Sequence, residues 1–170
     1  MPSPDRHFAT AAIFTQSTGI TPNSGDAALY IKNDNQAYIK NSSGVERSVA
    51  PLTLTIACSD EVTALTTGNA KATLRAPFAF RLTDVRSSLT TATTGSTLVV
   101  DINNGVNSAL STKLSIDATE LTSVTAAVPA VIDATYQDFA NDALITIDID
   151  QIGSTVAGAG LKVCIYGTRL

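Results

Sequence analysis

The side chains with the most chemical potential lie near the end of the chain, where Asp142, Asp148 and Asp150 flank a run of isoleucines. On a strand, Asp148 and Asp150 fall on one face, roughly 7 Å apart by strand rise. Two carboxylates at that spacing can serve glycoside hydrolysis, and three carboxylates with loop carbonyls offer hard oxygen ligands to calcium. Neither use has support elsewhere in the sequence. A glycosidase cleft needs aromatic walls, and the chain has no Trp and 5% aromatics. An EF-hand-like loop is lacking, and a carboxylate row matched in part by Arg and Lys is the plainer reading. A Ser-His-Asp or Cys-His site needs an imidazole. The one histidine, His7, stands in a Pro- and Gly-punctuated leader. Cys58 and Cys164 are too few for a thiolate zinc site and read as two free thiols packed as small apolar groups, with a bridge between first and last strands as the alternative. No enzyme, cofactor or metal site is therefore expected.

The elements that position these groups read as strands. Ile145, Ile147 and Ile149 alternate with Leu144, Thr146, Asp148 and Asp150, and Leu161, Val163 and Ile165 alternate with Lys162, Cys164 and Tyr166. The connector between them carries Gly153, Gly158 and Gly160, and it leads into a strand, which excludes a phosphate-binding loop ahead of a helix. Upstream, Leu52, Leu54 and Ile56 alternate with threonines. Alternation over residues 71–83 is interrupted by Pro77, which implies an edge, a bulge or a crossing between sheets. Val85 falls out of phase with Leu82, predicting a break near Asp84. Leu98, Val100 and Ile102 form another strand, with Leu110, Leu114 and Ile116 inward on its partner. A polar strand is expected over residues 121–126, a short helical turn within residues 59–69, and a loop over residues 133–142 carrying Tyr136 and Phe139. About eight strands and no amphipathic helix of useful length predict an all-β antiparallel sandwich, jelly-roll-like, over residues 51–170.

Residues 1–50 form a separate attachment region. Its first two dozen residues read as an extended arm whose Phe8, Ile13, Phe14 and Ile20 are too scattered for a core and suit docking on a partner. Tyr30-Ile-Lys-Asn and Tyr38-Ile-Lys-Asn are near repeats separated by Asp34-Asn-Gln-Ala37, which predicts a small β-hairpin, with a further turn at residues 41–44. An isolated hairpin is marginal in water and must lie on the chain's own sandwich or on a neighbour, so Tyr30 and Tyr38 are read as packing anchors, with glycan stacking the lesser alternative.

Several segments carry a resemblance in matching order. The runs ITIDIDQIGS (residues 145–154) and GAGLKV (158–163), with APFAF (76–80), VVDIN (99–103), LSTKL (110–114) and Ile116-Asp117, resemble small β-rich structural proteins of tailed bacteriophages, cyanophages among them. The resemblance implies a jelly-roll-like virion domain, assembled in the host bacterial cytoplasm, that associates as a homotrimer. Its partner would be the major capsid protein if it decorates or cements the shell. A tail fibre or receptor-binding adhesin is the alternative. The short segment ahead of residue 51 leaves no room for a fibre shaft and favours decoration. A carbohydrate-binding module lacks aromatic platforms here.

Bulk composition agrees with a surface buried by other subunits. Charged residues make up 15% of the 170, below the roughly 25% usual for soluble domains, and mean hydropathy is slightly positive. No apolar run approaches the about 18 residues of a membrane span, so no membrane partner is expected. A net charge of −4 argues against nucleic acid, which calls for clustered Lys and Arg.

Overall fold

A computed structural model describes residues 21–32 and 36–170. The chain divides into two compact units, residues 1–49 and 50–170. The proposed arm residues Phe8, Ile13, Phe14 and Ile20 lie outside the described residues.

In the first unit, β1 (Ala27–Ile31) and β2 (Ala37–Asn41) pair antiparallel, with Leu29 opposite Ile39 and Tyr30 opposite Tyr38. The tyrosine repeat thus forms the hairpin that its spacing predicts. A third strand, β3 (Glu46–Ser48), follows a turn closed by a hydrogen bond from Gly44 N to Asn41 O (3.0 Å).

The second unit is built from two four-stranded sheets. One holds β10 (Leu114–Ile116), β7 (Leu98–Asn104), β13 (Leu144–Gln151) and β5 (Gly68–Arg75), in that order. The other holds β12 (Asp138–Phe139), β6 (Phe80–Ser88), β14 (Lys162–Arg169) and β4 (Pro51–Ala57). The pairs in these sheets are antiparallel. Successive strands cross repeatedly from one sheet to the other, the interlocked Greek-key pattern of a jelly roll. Short strands β8 (Asn107–Ser108), β9 (Leu110–Thr112) and β11 (Val131–Ile132) add a hairpin on β7 and a two-stranded ribbon. Among the described residues the only helical segment is a 3-10 turn, Ser123–Thr125.

The isoleucine run and the terminal strand occupy the middle of their respective sheets. β13 lies between β7 and β5, and β14 between β6 and β4. Their inward residues Ile145, Ile147, Ile149, Val163 and Ile165 are at most 1% exposed and meet Phe80, Leu82, Leu98, Val100, Ile102 and Phe139 in one core. At about 25 cal/mol per Å2 of apolar surface, this two-layer burial is the dominant favourable term in the fold. The connector between the strands is pinned by backbone bonds, Thr94 N to Val156 O (3.0 Å) and Leu65 N to Gly158 O (2.9 Å). It passes so close to its neighbours that a Cβ at Gly153 would sit 1.9 Å from the Val156 carbonyl oxygen.

One local expectation settles on one of its alternatives and three others change. Pro77 marks a crossing between sheets, since β5 ends at Arg75 and β6 starts at Phe80 in the opposite layer. The phase slip between Leu82 and Val85 is a bulge inside one continuous strand: Tyr166 faces Asp84 and Gly167 faces Leu82, leaving Thr83 as the extra residue. Residues 121–126 are not a strand. The Thr122 side chain caps the turn by accepting from Val124 N (3.2 Å), and Leu121 O closes the edge of β6 by accepting from Leu89 N (2.9 Å). Residues 59–69 contain no helical turn, because the Asp60 carboxylate takes the N–H groups of Val62 (2.9 Å) and Thr63 (2.6 Å).

Candidate interaction surfaces

In the first unit the strand register sorts side chains onto two faces. Tyr30, Tyr38 and Ser48 share one of them. The tyrosine rings lie with centroids 6.3 Å apart, and the Lys32 ammonium sits 4.3 Å above the Tyr38 ring while pairing with Glu46. Tyr30 is only 4% exposed and Tyr38 is half-buried. The two rings therefore face each other and the Lys32 cation, and neither is laid open as a stacking platform. The opposite face carries Leu29, Ile39, Val45 and Val49, with exposures of 51%, 45%, 49% and 43%, and the exposed Arg47 opposite Ile39. Sequence reasoning selected the tyrosines and passed over these four. Each face of the hairpin mixes apolar and charged residues, so alternation alone does not say which one is covered.

In the second unit the carboxylates of β13 project from the outer face of their sheet and are already partnered. Asp148 accepts from Ala70 N (2.6 Å) and Asn103 Nδ2 (2.9 Å). The bond to Ala70 supports a backbone turned to φ 50° at the start of β5. Lys113 bridges Asp150 (2.7 Å) and Asp101 (3.1 Å), and these two hydrogen bonds raise its pKa above the ordinary lysine value. Asp101 is 5% exposed although it points away from the core, and its carboxylate also accepts from Ile102 N (2.8 Å) and Ser108 Oγ (2.6 Å). Neither Asp101 nor Asn103 figured as a site residue in the sequence reading, because their partners come from elsewhere in the chain, Ser108 and Lys113 for Asp101 and Thr146 and Asp148 for Asn103. Asp142 stands apart from this row, 74% exposed and 4.0 Å from Arg75. No group of three or more His, Cys, Asp or Glu among the described residues has metal-binding geometry. The row is thus a structural network that shares a lysine and ties β7, β10, β13 and β5 together.

Both cysteines are free. Cys58 is 7% exposed, and burial pushes its thiol up to about 12, against a smaller opposing effect of the Val163 backbone hydrogen bond. A thiol so protonated is no nucleophile near neutrality. Cys164 lies on the outer face of β14 with its sulfur 3.5 Å from Thr55 Oγ1.

A second apolar surface runs along the capped turn and β11. Leu121, Val124, Val128 and Val131 are 48–65% exposed. Of these, Val124 lines a cleft of about 190 Å3 shared with Val85, Leu114, Pro129 and Ala130 and with the Asp84–Arg86 ion pair (3.1 Å). Exposed aliphatic side chains thus occur on both units. No known protein family, no curated protein and no solved structure matches the chain.

Proposed function

We propose that the chain is a non-enzymatic structural protein of a tailed-phage virion, of the kind that decorates or cements the capsid. The jelly roll forms an external knob and the small N-terminal unit attaches it to the major capsid protein. The observation that carries this reading is the face bearing exposed Leu29, Ile39, Val45 and Val49 around a single charge, Arg47, a mainly aliphatic surface on a three-stranded sheet too small to be stable alone. Two further points support it. The strand order of the second unit is that of the jelly roll the sequence resemblance implies, an architecture common in viral capsid proteins though not restricted to them. The charged outer groups are spent on one another in Lys113–Asp150, Arg81–Asp138 and Lys162–Glu61 pairs, as suits a scaffold.

The test is electron microscopy of particles carrying labelled chain, with wild type beside Leu29→Lys/Ile39→Lys. Label spread over the shell, and lost in the double variant while its thermal melt is unchanged, is the expected result. Label confined to the tail would move the assignment to a fibre or receptor-binding adhesin. Shell label that survives the double variant would remove attachment from this face.

A further inference from the structure

β4 is the last strand of its sheet. One side bonds to β14, and among the described residues no strand pairs with the other side. Cys58 N donates to Leu161 O (2.8 Å), which sets the parity of the pair: residues 52, 54 and 56 turn their N–H and C=O groups toward β14. Pro51, Thr53, Thr55 and Ala57 therefore turn theirs outward, and only Pro51 lacks a donor. Other edges are guarded. β5 carries Lys71 and Arg75, while β10 and β12 are three and two residues long. β4 runs seven residues, PLTLTIA, with no charge at all. Its inward Leu54 and Ile56 are only half-buried, although Val163 and Ile165 beside them on β14 are fully buried. Both the main chain and the apolar shelf behind it lack a covering strand.

We propose that β4 pairs antiparallel with β4 of a second copy across a twofold axis, joining two four-stranded sheets into one. Parity fixes the register. Pairing symmetric about Leu54 sets Thr53 opposite Thr55 of the second copy as hydrogen-bonded residues, and sets Pro51 opposite Ala57, so the missing donor falls at the two ends. About six main-chain hydrogen bonds form. Leu54 meets its own mate on the axis and Leu52 meets Ile56, which closes the half-open shelf. Charge also selects this partner. Self-pairing of β4 brings no like charges together, whereas β5 paired with itself about Thr73 would set Lys71 against Arg75. Such an isologous contact is twofold by construction. A threefold assembly of the kind implied by the resemblance would have to use another surface.

The proposal is independent of the virion reading and is tested on the isolated full-length chain. Sedimentation equilibrium from about 1 to 100 μM is expected to show a monomer–dimer equilibrium. Thr53→Lys/Thr55→Lys alters two exposed side chains and sets lysine against lysine, which raises the dimer dissociation constant on the order of tenfold, with circular dichroism confirming that the fold is kept. In a Cys164→Ser background, Thr53→Cys chain mixed with Thr55→Cys chain should oxidise to a disulfide-linked pair in higher yield than either variant alone. A monomer at all concentrations, meaning the edge is covered within one chain or left bare, overturns the proposal. So does a trimer, a dimer indifferent to the lysines, or cross-linking that is equal in the unmixed variants.

Discussion

Phe139 belongs to a strand of two residues, yet its removal should cost more than that of any charged group near it. β12 pairs with β6 through Asp138 opposite Arg81 and Phe139 opposite Phe80. The two phenyl rings lie parallel within 3° at 4.8 Å between centroids, and both are fully buried. The surrounding backbone is held independently, by Leu82 N to Gln137 O (2.9 Å) and Asn104 Nδ2 to Asp138 O (2.9 Å). Truncation at 139 therefore leaves a cavity that the walls cannot readily close. A buried Phe→Ala change costs about 3–5 kcal/mol, of which the stacked pair accounts for about 0.5–1.5. That is about a fifth or more of the roughly 5–15 kcal/mol by which a domain is stable. The adjacent Arg81–Asp138 pair, with side chains 26% and 43% exposed, contributes about 0–1 kcal/mol. Urea unfolding of Phe139→Ala and Asp138→Ala separates the two contributions. With a slope of about 1–3 kcal/mol per M, the first midpoint should fall on the order of 2 M and the second by a few tenths. Equal losses, or a larger loss for Asp138→Ala, would refute the claim that β12 is held by its ring and not by its charge.

Two further outcomes follow from the sandwich. Ile147→Asp should abolish folding, since an unpaired carboxylate would enter the core, whereas Asp148→Asn keeps an oxygen for Ala70 N and should cost under about 1 kcal/mol by thermal melt. The reverse ordering would invert the facing of β13. The Cys58 thiol, raised from 9.0 to about 12, favours the folded state fully below pH 9. Above pH 9 the unfolded chain loses the thiol proton and the folded chain retains it, so stability falls by about 1.4 kcal/mol per pH unit as the pH rises toward 12. Urea midpoints of wild type and Cys58→Ala at pH 8 and pH 10.5 should converge or cross at the higher value. A difference independent of pH would show that the thiol is not buried in the folded state.

The central strands were legible because each presents strict alternation to one core. Ile145, Ile147 and Ile149, and Leu161, Val163 and Ile165, were read as inward, and all six are at most 1% exposed. Pro77 was legible as an interruption but not as a specific one, since a missing donor suits an edge, a bulge and a crossing equally. Phe139 was hidden by its setting. A strand of two residues has no period, so a fully buried ring looked like part of a polar loop. Residues 121–126 failed in another way. They were read as a polar strand without a clear period, and a threonine that captures the backbone two residues on outcompeted the ladder.

The surfaces were less legible than the core, for a reason that periodicity cannot remove. Alternation assigns residues to two faces and says nothing about which outer face the chain later covers. Asp101 and Asn103 are outward on β7 and still buried: Ser108 and Lys113 engage the Asp101 carboxylate, and Asn103 bonds to Thr146 and Asp148 of β13. Tyr30 and Leu29 are neighbours on β1, one 4% and the other 51% exposed. An aromatic residue attracts attention as a binding group, yet its large apolar area is also the strongest reason for a chain to bury it. In this hairpin the ring of Tyr30 is buried, and the aliphatic side chains of Leu29 and Ile39 stay exposed. The same logic holds at β4, where threonine and leucine alternate without a charge: the absence of any feature to notice is what leaves that edge able to pair.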